Sequence, residues 1–541
     1  MQATDVSALL PLPIRFQAGQ VGGNLTIDYQ PDNPIAVNGT VQGQGVSAKI
    51  AEVPNEFSQV AGRLRFVDQR IFFEELSGLY GEIPADLSGS IDLEEGYDLR
   101  AQAASVTVPD LLRTFNLKTP IALSGEFRGN VRITGDIDSP LLTGTAQSLR
   151  PAQADRVRFD RISTNFRVTP QALTFDQITA VPSGGGVVQG GGTIGFRDET
   201  VAFRFNTTNA PGDALARSYG FNNPNVRLGA IAATASINGT YSNFQTNLRF
   251  QALQATYPTT GEAQIRGSNV RFRNTEVRVA GGRIVGGGEV VDGRWRANGQ
   301  VAQVPLNQFR SNLSGALNGD FQLAGTLTST DTIRGSSNFR IDNFAGGRIA
   351  GNAAIANGRW NAVASASQVA LNRIDPRIES GSLGGNFRVA GRLTDFSPNA
   401  IQAQGQYQIT NLAGGRATGN VAIAQGRWNA TVLANNVALA AFSPNLRGEL
   451  GSNLRVNGTL ANLSPAAIRA SGQVQLSQGL AQIDRPLTAS IRWLGDQLRI
   501  DSATAPGLTA NGVVSLPPKR PPFPALTLTS ACKITIWPIS L

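Results

Sequence analysis

The chain has 541 residues, with 60 Gly, 28 Pro, one Cys, one Met and no His, and only 16% are charged, against about 25% in an ordinary soluble domain. Without His there is no Ser-His-Asp triad, imidazole base or His-ligated metal, and a lone Cys excludes zinc ribbons, Fe–S clusters and disulfide frameworks. The net charge of +9 suits an anionic partner, but of the 47 basic residues all but Lys49, Lys118, Lys519 and Lys533 are arginines scattered singly, whereas a nucleic-acid footprint clusters.

The 41% hydrophobic content is enough to fold, and so Gly-rich a sequence favours β-structure. Met1 to Phe16 lacks the basic region and apolar core of a signal peptide, and no stretch reaches the ~18 apolar residues that span a bilayer. The chain therefore reads as cytosolic or as a piece of something longer. The change of character near its C-terminus favours the second.

The first unit, residues 1–118, contains the carboxylate pairs Glu74-Glu75 and Glu94-Glu95. Adjacent residues on a strand face opposite ways, which makes them poor acid/base partners. Val106 to Leu117, with Pro109-Asp110-Leu111-Leu112, reads as a helical turn closing the unit.

From residue 119 onward, glycines ten residues apart recur: Gly125 and Gly135, Gly229 and Gly239, Gly315 and Gly325, Gly381 and Gly391, Gly448 and Gly458. Around each second glycine the positions four before, two before and two after are apolar. They are Val131, Ile133, Ile137; Ala235, Ile237, Tyr241; Phe321, Leu323, Leu327; Phe387, Val389, Leu393; and Leu454, Val456, Leu460. Polar residues such as Arg388, Arg392 and Arg455 alternate with them, the period of a β-strand with one face on an apolar surface and the other in water. Asp138-Ser139-Pro140, Asp395-Phe396-Ser397-Pro398 and Asn462-Leu463-Ser464-Pro465 mark the turns that follow.

Each later unit then has a strand block opened by Gly-Gly-Arg, ending at Arg283, Arg348 or Arg416, and a Gly-Arg-Trp block at Trp295, Trp360 or Trp428, with Trp493 as a variant. Nine residues further on, Val304, Val369 and Val437 open a short segment with the character of a helical turn. The units are 1–118, 119–222, 223–312, 313–378, 379–446 and 447–516. A 66-residue unit is expected to hold about five or six strands, about 45 to 50 in all. No unit can bury its apolar face alone, so successive units stack edge to edge into one elongated domain.

The repeated Trp reads as a packing residue. The runs Gly184 to Gly192 and Gly281 to Gly288 match neither dinucleotide nor P-loop spacing and read as tight bends between strands. Residues 517–541 form an atypical tail crowded with Pro517, Pro518, Pro521, Pro522 and Pro524; its Cys532 reads as incidental. Only 7% of the chain is aromatic, and in-phase positions such as Ala362, Ala364, Ala430 and Ala434 are small. A long apolar face without an evident second sheet either associates or holds something apolar.

The strand Asn386-Phe-Arg-Val-Ala-Gly-Arg-Leu393 with its Ser-Pro turn, the Gly-Gly-Arg and Gly-Arg-Trp blocks, Gly62-Arg-Leu-Arg-Phe66 and Leu76-Ser-Gly-Leu-Tyr-Gly81 together resemble the AsmA-like superfamily. The likeness is strongest to its TamB group, the DUF490-containing translocation and assembly module proteins, with their photosynthetic bacterial and plastid-envelope relatives. It extends to Leu516. The resemblance implies an all-β fold, an elongated repeat sheet curled into an open hydrophobic trough (a β-taco). Such a trough bridges the inner and outer membranes of a diderm or plastid-type envelope through the periplasm, conducting phospholipids or assisting outer-membrane protein assembly.

It also implies an outer-membrane assembly-type β-barrel partner, met through the terminal DUF490 segment. That segment and the N-terminal inner-membrane anchor are expected to lie outside this chain. On this reading Val131, Ile133, Phe321, Leu323, Leu327, Phe387, Val389, Leu393, Leu454, Val456 and Leu460 line the groove around phospholipid acyl chains, and Arg348, Arg392 and Arg416 attract head groups at its rim. No catalytic residue, metal, cofactor or nucleic-acid partner is expected. The alternative is a secreted β-solenoid adhesin or structural repeat protein, although solenoid coils usually take 20 to 30 residues. An outer-membrane barrel is disfavoured because the chain lacks aromatic girdles.

Overall fold

The computed structural model describes residues 2–4, 14–28, 36–50, 55–117, 119, 121–220, 224–308, 311, 313–376, 378–441, 447–478, 484–515 and 533–536. The prolines of the tail and Cys532 lie outside them. The chain divides into two units, Met1–Thr275 and Glu276–Leu541. Both are all-β: the described residues contain 34 strands and only short helical segments.

In the first unit the strands from Ile14–Asp28 to Thr259–Arg266 pair antiparallel, mostly with their successors in the chain; the short strands Leu123–Ser124 and Ala152–Ala154 pair with each other, so that Gly96–Thr107 pairs with Glu126–Gly135 and Leu141–Ser148 lies between Glu126–Gly135 and Val157–Val168. The sheet does not close, because Ile14–Asp28 pairs only with Ala36–Ile50 among the named strands. The expected helical turn is the helix Val108–Thr114, where the Thr107 side chain accepts from the Asp110 N–H and Pro109 occupies the first turn. The two carboxylate pairs are spent on local structure. Glu74 pairs with Arg65, and Glu75 sits in a bulge at φ 55°. Glu94 and Glu95 are in a turn rather than on a strand, both donating N–H to Asp92 Oδ1.

In the second unit a 66-residue repeat holds four strands, not five or six: Ala316–Thr326, Ser329–Phe344, Gly347–Ala356 and Arg359–Ala370, then Ser382–Arg392, Gln402–Leu412, Gly415–Ala424 and Arg427–Ala438. At 10 to 16 residues they are longer than usual strands. At about 3.3 Å per residue, 11 residues reach about 36 Å, so each strand crosses the full width of the sheet.

Both sequence blocks turn out to be hairpin turns. Asn357-Gly358 and Gln425-Gly426 have φ near 50° and 70° in succession, and Ala345-Gly346 and Ala413-Gly414 likewise lie at positive φ, the backbone that matches the twist of paired strands. Close to the Ala-Gly turns each Trp strand bulges at Gln303, Gln368 or Asn436, all at φ 55°. The bulge turns Val304, Val369 and Val437 inward, each 1% exposed. The second glycine of Gly-Gly-Arg packs directly on it. A Cβ at Gly282, Gly347 or Gly415 would lie 2.5 Å from Gln303 O, Ser367 O or Asn436 O.

The glycine runs are only partly bends. Gly184 to Gly186 form a turn, but Gly190 and Gly192 lie inside a strand, where Phe205 and Phe203 occupy the space a side chain would need. The last described strand, Lys533–Ile536, pairs with Leu508–Asn511.

Candidate functional site

Both glycines of each ten-residue pair have a structural role. The carbonyl of the first accepts the first N–H of the helical turn: Gly125 from Val108, Gly229 from Gly212, Gly315 from Leu306, Gly381 from Leu371 and Gly448 from Leu439. In the second unit the second glycine lies opposite Trp on the neighbouring strand, in the pairs Trp295↔Gly325, Trp360↔Gly391 and Trp428↔Gly458. A Cβ on Gly391 would come within 2.8 Å of the Trp360 indole. Tyr97↔Gly135 is the counterpart in the first unit. The Trp–Gly step is constant, 30 or 31 residues, and was the available signal that these two motifs are partners.

Alternation along the strands then assembles one apolar face. Across the second unit, directly paired residues form the row Val301, Gly319, Phe339, Gly351, Ala364, Phe387, Gly405, Val421, Ala430, Val456, Ala470, Trp493. The next row toward the Trp end includes Phe321, Ala353, Ala362, Val389, Ala403, Ile423 and Trp428. In the first unit Ala101, Val131, Gly144, Phe166, Phe175, Gly192, Phe203 and Ile237 form such a row, beside one through Ile133 and Leu142.

Val131, Ile133, Phe321, Leu323, Phe387, Val389, Leu454 and Val456 are all half-buried on this face. Leu393 and Leu460 are half-buried just past the strand ends, donating N–H to the carbonyls of Gly358 and Gly426. Leu327 departs from the set. It sits in the short turn after Ala316–Thr326, donates its N–H to the Gly293 carbonyl as its counterparts do to theirs, and is 67% exposed. The Ala and Gly positions of the floor, and the tryptophans themselves, are residues that the apolar triplets did not name.

Nothing among the described residues covers most of this face. Among the described residues the largest side chains under 2% exposure are Val304, Val369, Val437 and Pro182; no aromatic residue is among them, whereas the core of a two-layer sandwich buries large side chains fully. The two ends of the strands differ. At the Ala-Gly end the face is sealed: Val369 and Leu371, or Val437 and Leu439, are buried, and Ala417, Ala434 and Val437 form a cluster backed by Ile409, Leu412 and Leu450. At the Trp end the apolar tips Leu327, Phe396 and Leu463 stand 58 to 67% exposed.

The opposite face is mostly polar, with Val363 and Leu433 among its exposed apolar exceptions. Arg388 is exposed there, between Val363 and Gln404 on the adjoining strands. The three arginines expected at a rim do not share one. Arg348 and Arg416 follow the Ala-Gly turns, and Arg348 is engaged at 3.1 Å by Asp342, which also pairs with Arg340. Arg392 lies at the Trp end, directly opposite Arg359. Beside it, the Ser397 N–H and hydroxyl, with a smaller contribution from Arg392, hold the Asp395 carboxyl below the usual carboxylate range.

These features define an open, single-layer antiparallel repeat sheet with one uncovered apolar face. No family profile matches the chain, and no solved structure does. It is similar to two chloroplastic proteins: Protein SUBSTANDARD STARCH GRAIN 4 of Oryza sativa subsp. japonica, 24% identical over 218 residues, and Protein TIC236 of Arabidopsis thaliana, 25% identical over 217 residues. Each likeness covers 34% of this chain, which spans about a tenth of the length of the curated relatives it matches.

Proposed function

We propose that this chain is a segment of a TamB-like, envelope-bridging protein whose apolar face conducts phospholipids, with acyl chains on the floor and head groups in water. The observation that carries this reading is the run of half-buried apolar side chains in directly paired rows with no second layer over them among the described residues. A floor of Ala and Gly between scattered Phe and Trp is smooth and leaves room for flexible chains. The chloroplastic relatives support a plastid-type envelope as the setting. Action on phospholipid is passive and needs no cofactor, in keeping with a chain without His; the chain is not an enzyme. Assistance to outer-membrane protein assembly would use the same face for apolar strands, with a β-barrel partner engaged by sequence beyond this segment.

The test exploits the two-residue period. A photo-crosslinking residue at Val389 is expected to capture phospholipid in cells, and one at Arg388 is not. Equal capture at the two positions, or capture of protein alone at Val389, overturns the reading.

A further inference from the structure

On its polar side the sheet of the second unit has one stretch almost without acids. We infer that this side of the six strands from Ser382–Arg392 to Arg469–Leu476 is a docking surface for an acidic protein, with a carboxylate seated where the strand ladder opens beside Thr431. This side faces away from the proposed groove, so its partner is independent of what the groove carries.

Charge is the first observation. The strands Ser382–Arg392, Gln402–Leu412, Gly415–Ala424, Arg427–Ala438, Glu449–Thr459 and Arg469–Leu476 contain six arginines and one acid, Glu449, the first residue of its strand. The other acid between 382 and 476, Asp395, sits in a turn beside Arg392. By the two-residue alternation Arg388, Arg416 and Arg455 share the polar side with Gln404, Gln406 and Asn420. All three arginines are exposed, and none makes an ion pair among the described residues. The flanking stretches neutralise themselves: Asp342 pairs with both Arg340 and Arg348, and Asp501 with both Arg492 and Arg499. Soluble surfaces mix the two signs, so an unpaired basic stretch between two paired ones complements an anion.

The backbone supplies the second observation. Between Thr418↔Leu433 and Val421↔Ala430 the ladder joining Gly415–Ala424 to Arg427–Ala438 has no paired residues. The Asn420 N–H donates to Thr431 Oγ1 instead, and the Thr431 carbonyl accepts from the Tyr407 hydroxyl. One repeat earlier the corresponding ladder, from Arg348↔Ser367 to Ala356↔Arg359, is unbroken. At the opening lies a concavity of about 420 Å³ lined by Gln406, Thr418, Asn420, Thr431, Leu433 and Asn453. Arg455 is the direct partner of Thr431 on the next strand. A carboxylate entering there meets a guanidinium together with amide and hydroxyl donors, and Leu433, 47% exposed, adds an apolar anchor.

The spacing selects the class of partner. Arg388 is three strands from Thr431, about 14 Å, and Arg416 is four residues from Asn420, about 13 Å. Such distances suit carboxylates spread over a protein surface, whereas a nucleic-acid strand presents a phosphate about every 3.4 Å. Single-stranded bases also need aromatic platforms, and Phe387, Tyr407 and Trp428 all belong to the apolar phase of their strands. Binding to a bilayer surface buries apolar side chains, and Leu433 is the one large exposed apolar residue on this side of the six strands among the described residues. Six strands spanning about 24 Å, each about 36 Å long, present roughly 850 Å², one partner's share of a standard protein interface.

The experiment uses the full chain and a fluorescent decaglutamate peptide, with binding read by anisotropy. The unaltered chain is expected to bind it, and more weakly as salt rises. R388Q/R416Q/R455Q should weaken binding about tenfold, as for three exposed charge contacts. R340Q/R348Q/R492Q removes the same charge from paired arginines and should change binding by no more than about twofold. A photo-crosslinking residue at Asn420 should capture the peptide, and one at Val421, on the apolar face, should not. Circular dichroism checks that both triple variants keep the sheet, and if either does not, the crosslinking pair decides. No binding by the unaltered chain, equal loss in the two folded triple variants, or equal capture at Asn420 and Val421 overturns the inference. Tighter binding of an oligothymidine or of phosphatidylglycerol vesicles through the same three arginines overturns it too, and would make this side a nucleic-acid or membrane surface.

Discussion

Adjacent glycines at the Ala-Gly turn should respond to the same substitution for different reasons and by different amounts. In Gly415→Ala the new methyl would lie 2.5 Å from both the carbon and the oxygen of the Asn436 carbonyl, about 1 Å short of favourable contact. Both neighbours are backbone, so no side chain can yield. The bulge must open, and with it Val437, which is 1% exposed. Overpacking of this kind costs about 1–3 kcal/mol, and partial loss of a buried Val adds about 1 kcal/mol, giving about 3 kcal/mol in all. Gly414→Ala places its methyl in open space but at φ 82°, where the cost is conformational and about 1 kcal/mol. Repeat sheets need not unfold in one step, so the measurement should be local: hydrogen exchange of Arg427–Ala438 in the two variants, beside urea unfolding. Protection of that strand should fall about 100-fold in Gly415→Ala and about fivefold in Gly414→Ala. Equal effects, or a larger one at Gly414, would refute the view that the Gly-Gly-Arg block exists to seat the bulge.

Two further outcomes follow from the face and from the turns. Leu323→Asp puts a carboxylate among the acyl chains of the proposed groove, and lipid loading of the full chain should fall about tenfold, while Gln322→Asp on the other face leaves it unchanged; mass spectrometry of the extracted lipid reads both, and circular dichroism should find both folded. Asp110, Asp213, Asp395 and Asp501 all have carboxyls held below their usual range, chiefly by hydrogen bonds from Thr107, the Leu228 N–H, the Ser397 N–H and Arg492 respectively. A depressed folded-state pKa means the stabilisation is complete above the ordinary carboxylate range and is lost as pH falls through the depressed values. Melting temperature should therefore be flat from pH 7 to about 5 and decline below about 4, and Asp501→Asn should flatten part of that decline.

The sequence by itself determined a good deal. Alternation around Phe387, Val389 and Leu454 put these side chains on one face and Arg388 on the other, because period two is a local property of the strand. The 66-residue step made the sheet a repeat, and the absence of His excluded imidazole bases and His-ligated metals. Tertiary structure decided what local pattern cannot encode. Trp360 and Gly391 are 31 residues apart and become one packing unit only when their strands pair. The Gly-Gly-Arg block looked like a strand opening and is a hairpin seating a bulge, since its second glycine answers to Gln368 on another strand. Leu327 fits the apolar triplet as well as Leu393 does, yet it is 67% exposed where Leu393 is half-buried. Arg348, Arg392 and Arg416 look equivalent in sequence, but strand direction sends Arg392 to one end and the other two to the opposite end. Which rim is sealed depends on where Val369 and Leu371 come to rest, and only strand pairing and the bulge fix that.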